Sequence, residues 1–341
     1  MGSKCLVTLS LHFLNPSLYY IATMRYLIFT FIFFCCFPVA AQLKWHPAGN
    51  AFGFLPNSIK AFKTTDSLNG RPFIAYIIIA DLRDENLEFT TQTGKGSRYT
   101  PVAYYRQNDS PYVVVNGTFF SFATNQNLNV VITDGKMEAY NISALKSRQS
   151  DSFYYPTRSA IGITKNRRAD VAWLFTDTAK RLPYAFQNKP IVAKGKNGDP
   201  SFRDLNTVDP WKWWNVQTAI GGGPVLLRNK KIFITNKEEQ MFGDGAKDLH
   251  PRTAMGYTSK RKLVILVIQG RTPGIAMGAT LEEEATILQQ LGCVEALNLD
   301  GGGSSCLLVN GRETIKPSDK EGQRAVPAVF MIRSKKTVTV K

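Results

Sequence analysis

Histidine is scarce in this sequence, with only three in 341 residues. Two of them, His46 and His250, lie past the first 41 positions. No HxH or HExxH spacing occurs, so a histidine-rich zinc site finds no support and no metal ligands are assigned. There is no G-x-S-x-G elbow, which argues against a Ser-His-Asp hydrolase of that kind. Acidic residues are also few: 26 Asp and Glu against 42 Lys and Arg give a net charge of +16. The basic excess is scattered, as in KNRR (165–168), NKK (229–231), SKRK (259–262) and RSKK (333–336). Such short clusters read as solvated turns and a tail, with attraction to an anionic substrate or surface as the functional alternative. No nucleic-acid partner is expected.

Long hydrophobic runs are lacking too. YLIFTFIFFCCF follows Met24-Arg25 and is too short for a stable membrane span. A charged start, an apolar stretch and the small residues of PVAAQ (38–42) make a secretory signal with cleavage after Ala41. Met24 reads as the start of translation and residues 1–23 as an upstream artefact. A signal over 1–41 and a mature domain over 42–341 put the protein outside the cytoplasm, secreted or periplasmic. Cleavage removes Lys4 and Arg25 and no acidic residue, so +16 becomes +14. Cys293 and Cys306 remain; two buried thiols are favoured over a disulfide, which an oxidising compartment would permit.

What is present is mostly β. The runs at 72–82, 111–116, 262–268 and 296–300 are apolar on consecutive positions, as strands buried on both faces are. TDGK (133–136) and VNGR (309–312) mark hairpin turns. One helix is plain at TLEEEATILQQLG: Thr280 caps it, Glu283 completes a capping box, and Leu281, Ala285, Leu288 and Leu291 share a face. A second starts near Pro101. RSAIGITKNRRADV at Arg158 echoes RTAMGYTSKRKLVI at Arg252, and GGGPVLLRNKK at Gly221 echoes GGGSSCLLVNGRE at Gly301. The fold class is therefore α+β: one β-rich domain with mixed sheets, two related β units and flanking helices.

The residues with the strongest chemical signal lie in NLDGGGSS (298–305). A Walker loop needs Gly-Lys-Ser/Thr and a following helix, and a Rossmann loop also opens a helix; here a strand follows. Strand, loop and strand leave glycine amides beside Asp300, where a ligand could approach the backbone. The plain alternative is a tight turn whose aspartate bonds its own backbone. NGTFFS places Asn116 at the end of an apolar run, and AIGGGPVLL brings Gly222 and Gly223 as a second glycine cluster. Arg252 and Arg271 sit at strand ends, where a guanidinium can clamp an oxyanion or form a surface ion pair.

Taken in order, NGTFF, AIGGGPVLL, HPRTAMGY, QGR, GATLEEEATILQQLG, ALNLDGGGSSCLLVNG and RAVPAVF resemble the signature of the phosphodiester glycosidase family, from about Val113 to Ile332. The resemblance implies a pocket lined by Asn116, Arg252, Arg271, Glu283, Asn298, Asp300, Gly301, Gly302 and Ser304. Thr118, Gly222, Gly223 and Arg324 join it as substrate-binding candidates. It also implies hydrolysis of a sugar-1-phosphodiester, of the GlcNAc-α-phosphate type, to free sugar and phosphomonoester. Two departures bear on the substrate: Gln269 stands where the family usually has Asp, and Thr118 where it often has glycine. Asp300 is the catalytic candidate, as base or nucleophile, with Glu283 second. No cofactor is expected, though a divalent cation held by Asp300 with Asp244 or Asp248 would serve a metal-dependent phosphoesterase. A non-catalytic module for anionic cell-surface glycans is the other alternative. Intact-mass measurement of exported protein is expected to give a chain starting at Gln42; a mature chain that keeps Met24 overturns the signal assignment.

Overall fold

The run KLVILVI has no polar alternation, and its two faces explain why. Leu263, Ile265 and Val267 join one buried cluster, while Val264, Leu266 and Ile268 join another. A strand covered on both faces has no position to give to water. The computed structural model describes residues 42–147, 151–191, 193–195 and 212–335. The expected signal over 1–41 lies outside these residues. No helix among the described residues is long and apolar enough to cross a membrane.

Three sheets carry the fold. An eight-stranded sheet runs Ile59–Thr64, Ala75–Asp81, Lys262–Ile268, Arg252–Thr258, Cys293–Asn298 and Val225–Arg228, with His46–Pro47 and Lys231–Ile232 at its edges. A seven-stranded sheet centres on Ala169–Asp177, Arg158–Ile163 and Thr218–Gly221. In a five-stranded sheet, Leu307–Val309, Val113–Asn116, Ala328–Ser334 and Leu87–Thr93 are neighbours. The core lies where they meet: Ile265, Ile161, Val115 and Phe330 belong to one cluster. Burying each such side chain is worth about 1.5–3 kcal/mol.

The expected helix is Leu281–Gln290, with both halves of the capping box formed. Leu281, Ala285 and Leu288 lie on the second face of the Lys262 strand's sheet. The other helix is Pro101–Gln107, capped by Thr100. Both turn sequences close hairpins with left-handed pairs, Asp134-Gly135 and Asn310-Gly311. The mixed sheets of the sequence reading are corrected: every registered pair among the described residues is antiparallel. The reason is local. The helical crossover from the Lys262 strand to the Cys293 strand leaves room for the Arg252 strand between them, so the two that run the same way never pair.

The two echoing units share one layout. In each, the arginine-led strand lies between the strand that follows it and the strand that ends near glycine. Ala160 faces Gly221 as Ala254 faces Asn298. One step on, Gly222 N–H donates to Ser159 O at 3.0 Å and Leu299 N–H to Thr253 O at 2.7 Å. The backbone position of Asp300 in the second unit is thus Gly223 in the first. The glycine triplets are three residues out of structural register, although they align by sequence.

Gly223 has φ +126°, and a side chain there would stand 2.5 Å from Glu239 Oε2. Glu239 is fully buried. Its Oε2 accepts from Ser159 N–H at 2.9 Å and Ser159 Oγ at 2.8 Å. Its Oε1 accepts from Trp173 Nε1 at 3.1 Å, Val225 N–H at 2.8 Å and Thr235 Oγ1 at 2.6 Å. Ser159 and Trp173 belong to the seven-stranded sheet and Val225 to the eight-stranded one, so a single carboxylate joins both. Glu239→Ala strands four buried donors, since Val225 N–H keeps Thr235 Oγ1 at 3.2 Å, and is expected to lower the unfolding free energy by about 3 kcal/mol or more. Urea denaturation checks this; a loss below about 1 kcal/mol means that other contacts hold the junction.

Candidate active site

The Cys293–Asn298 strand delivers Asp300 to the junction of the eight- and five-stranded sheets. Its backbone is held from both sides. Asp300 N–H donates to Gly117 O at 3.0 Å, and Asn116 Nδ2 donates to Asp300 O at 2.6 Å. Asn116 is itself fixed, because its Oδ1 accepts from Thr253 Oγ1 at 2.9 Å and from Cys306 N–H at 3.0 Å. The chain then turns through the short 3-10 segment Gly302–Ser304. A side chain at Gly301 would press on Pro251 O at 2.8 Å, and one at Gly302 would reach the Arg271 guanidinium at 3.0 Å. One at Gly303 would overlap Arg324 and Asp319. The glycines thus bring two guanidinium groups down onto the backbone beside the carboxylate.

Asp300 is partly buried at the floor of this arrangement. Burial pushes its carboxyl up to about 7, against the opposing pull of the Ser304 hydroxyl, the Arg324 charge and the Gly301 N–H. Arg324 forms a two-point pair with Asp319, Nε to Oδ2 at 2.7 Å and Nη2 to Oδ1 at 2.9 Å. Its Nη1 donates to Ser304 Oγ at 3.4 Å. A relay therefore runs from Asp319 through Arg324 and Ser304 to Asp300 and sets the carboxyl's orientation. On the Gly302 side, Arg271 is exposed, has φ +58° and donates from Nη2 to His250 Nδ1 at 3.3 Å. Burial, with Arg252 and Arg271 nearby, lowers the His250 pKa and keeps the imidazole neutral.

The structure brings together Asp300, Gly301, Gly302, Ser304, Arg271 and Arg324. Other candidates stand behind the site and are engaged by the protein. Arg252 is buried; its Nε donates to Ala279 O and its Nη2 to Asp248 O, both at 2.9 Å. Asn298 Nδ2 donates to Gly223 O at 2.9 Å, and Asn129 Nδ2 to Gly222 O at 2.8 Å, so the second glycine cluster backs the first. Thr118 Oγ1 donates to Asn127 Oδ1. Glu283 accepts from Thr280 N–H at 2.9 Å and from Asn69 Nδ2 at 2.7 Å, and it pairs with Arg71. Gln269 Oε1 accepts from Lys316 N–H at 3.0 Å, which ties down the loop that carries Asp319 and Arg324. An aspartate oxygen could take the same bond, so the departure at Gln269 leaves that support in place.

Sequence reasoning missed Asp319 and gave His250 no role at the site. Only Arg324 gave a signal, and its partner Asp319 could have been sought in the preceding polar turn. Among the described residues, no three His, Cys, Asp or Glu side chains gather as a metal-binding set. A separate cleft of about 760 Å³ opens beside Asn127, walled by Tyr140, Phe153 and Phe175, and Asp300 does not line it.

A match to the family described as "Phosphodiester glycosidase" covers residues 177–333. The N-acetylglucosamine-1-phosphodiester alpha-N-acetylglucosaminidase of Bos taurus is 35% identical over 124 residues, 34% of this chain and 22% of that protein. The Mus musculus protein of the same name is 26% identical over 216 residues, 61% of this chain and 33% of its own length. The chain thus spans a third or less of these relatives. Among solved structures, the catalytic domain of the zebrafish protein of that name, auto-inhibited by its pro-peptide, superposes with a TM-score of 0.56 at 22% identity. That match covers 88% of this chain and 92% of the other, and shows a shared fold.

The raised carboxyl has a consequence for stability. A folded pKa near 7 against 3.8 means that folding takes up a proton between those values, so stability contributed by Asp300 is lost as pH rises through about 7. Asp300→Asn removes that loss. Its melting temperature relative to wild type is expected to rise from pH 4 to pH 8, and a pH-independent difference overturns the assignment.

Proposed function

We propose that the chain, which matches the phosphodiester glycosidase family over residues 177–333, hydrolyses a sugar-1-phosphodiester to free sugar and a phosphomonoester. A GlcNAc-α-phosphate linkage is the preferred substrate class. The observation that carries this reading is the site's charge balance. One unpaired carboxyl, Asp300, lies beside two guanidinium groups that close on adjacent glycines. The second carboxylate, Asp319, is paired with Arg324 and is not free to protonate a leaving group. Ordinary glycosidases need that second acid. A phosphomonoester needs it little, because its oxygen leaves as a stable anion, and the greater demand is for positive charge where charge develops.

Asp300 acts in its ionised form, as base toward water or as nucleophile at the anomeric carbon. In the base route, water gives its proton to Asp300 and its oxygen bonds to that carbon. The carbon–oxygen bond to phosphate breaks, the electron pair stays on the phosphate oxygen, and the proton returns to the departing phosphomonoester. Arg271 lies over Gly302 and stabilises that departing charge. The signal pattern over residues 1–41 supports action outside the cytoplasm.

Purified mature protein is expected to release GlcNAc from a GlcNAc-α-phosphodiester, with kcat rising through about pH 7 as Asp300 ionises. Asp300→Asn is expected to cost roughly 10²–10⁴-fold in kcat. Glu283→Gln keeps an amide oxygen for the cap and is expected to stay active. An active Asp300→Asn beside a dead Glu283→Gln reverses the assignment. Loss of turnover in chelator favours the metal-dependent alternative. Saturable glycan binding with no turnover favours the binding module.

A further inference from the structure

Beyond Arg324 the site continues along an edge built from three segments. Tyr99 and Val326 exchange backbone bonds, 3.1 Å and 2.9 Å, and so clamp segment 94–99 against the strand that follows Arg324. The segment after Gly117 folds back through Ser121 N–H to Gln126 O at 2.9 Å and presents Phe122, 63% exposed. Phe120 and Phe122 pack with ring centroids 4.7 Å apart. The Arg98 guanidinium lies over both rings, at 5.3 Å from Phe120 and 5.4 Å from Phe122. The Arg324 guanidinium lies 5.3 Å from the Phe122 centroid as well.

Two cations thus share one exposed ring, but only one is neutralised. Arg324 has Asp319. Arg98 has no hydrogen-bond or ion-pair partner among the described residues, and the two aromatic rings alone steady it. Stacking leaves the edges of a guanidinium, where its five N–H donors lie, open to a ligand. An unpaired, pre-oriented guanidinium next to a second cation fits an anion, and a phosphate matches its fork geometry.

We propose that Arg98, steadied on Phe122, binds a second phosphate on the aglycone side, so that sugar 1-diphosphate esters are favoured over simple phosphodiesters. This rests on the hydrolase reading for the scissile bond at Asp300, but the subsite itself is tested separately. Phe122 sets the guanidinium's angle, and Arg98 supplies the contact.

The experiment uses full-length mature protein and two probes, inorganic pyrophosphate and inorganic phosphate, with binding measured by calorimetry at fixed ionic strength. Wild type is expected to bind pyrophosphate at least about tenfold more tightly than phosphate, one charge-assisted contact's worth. Arg98→Ala is expected to close that gap, Arg98→Lys to restore part of it and Phe122→Ala to narrow it. An unchanged gap in Arg98→Ala, with the melting temperature preserved, overturns the subsite. A matched pair of GlcNAc-α-1-phosphate and GlcNAc-α-1-diphosphate methyl esters adds turnover: the ratio of their kcat/KM values is expected to fall toward one in Arg98→Ala. If neither ester is hydrolysed while the pyrophosphate gap closes in the variant, the hydrolase reading fails and the subsite stands. If both esters turn over with an unaltered ratio, the subsite fails alone.

Discussion

A buried carboxylate with five donors holds this molecule at its centre. Glu239 satisfies backbone and side-chain groups from two sheets at once. An unpaired ion there would be strongly unfavourable, and the surrounding hydroxyl, indole and amide groups offset part of that cost, while burial still holds the carboxyl above its usual range. The geometry they impose is narrow. It fixes where the Arg158 strand meets the Val225 strand, and it forces a glycine at 223, where any side chain would meet the carboxylate. Since Gly223 O takes the Asn298 amide, the constraint passes to the strand that ends at Asp300.

Asn116 does for the second junction what Glu239 does for the first. It links the five-stranded sheet to Thr253 in the eight-stranded sheet and to Cys306, and it donates to the carbonyl of Asp300. The candidate catalytic carboxyl therefore stands on buried polar brackets and not on loop packing. Such support suits a group whose distance to a reacting carbon matters. The moving charge is left to the exposed side, where Arg271 and Arg98 are tied by few contacts.

Local pattern made several parts legible. The Lys262 strand, both hairpins and the capped helix follow from periodicity, turn chemistry and a capping box, each of which acts within a few residues. Asp300 and its glycines were legible because removing side chains beside a carboxylate leaves a mark in sequence. The roles of Asn116, Asn298 and Arg252 were not. A buried asparagine that holds a carbonyl and one that touches a ligand look alike until their partners are known. Arg98 was hidden for the same reason, because the rings it stacks on, Phe120 and Phe122, lie on another segment; Asp319 is close to Arg324 in sequence, but nothing in the residue pattern marks the two as a pair. Strand direction failed too, because apolar runs with a helical crossover suggest parallel neighbours, and only the inserted Arg252 strand shows otherwise.

The register between the two units carries one more consequence. The backbone position that bears a carboxyl in the second unit bears none in the first, yet Glu239 fills the space beside it. Each half of the pseudo-symmetric frame thus keeps an acidic group at its apex. One is locked in by neighbours and the other is only partly buried. Doubling the frame separates labour that a single copy would have to combine, since rigidity comes from the sealed apex and reactivity from the other. Residues at the sealed apex should therefore tolerate little change whatever the substrate, while those around the other apex are free to diverge with it.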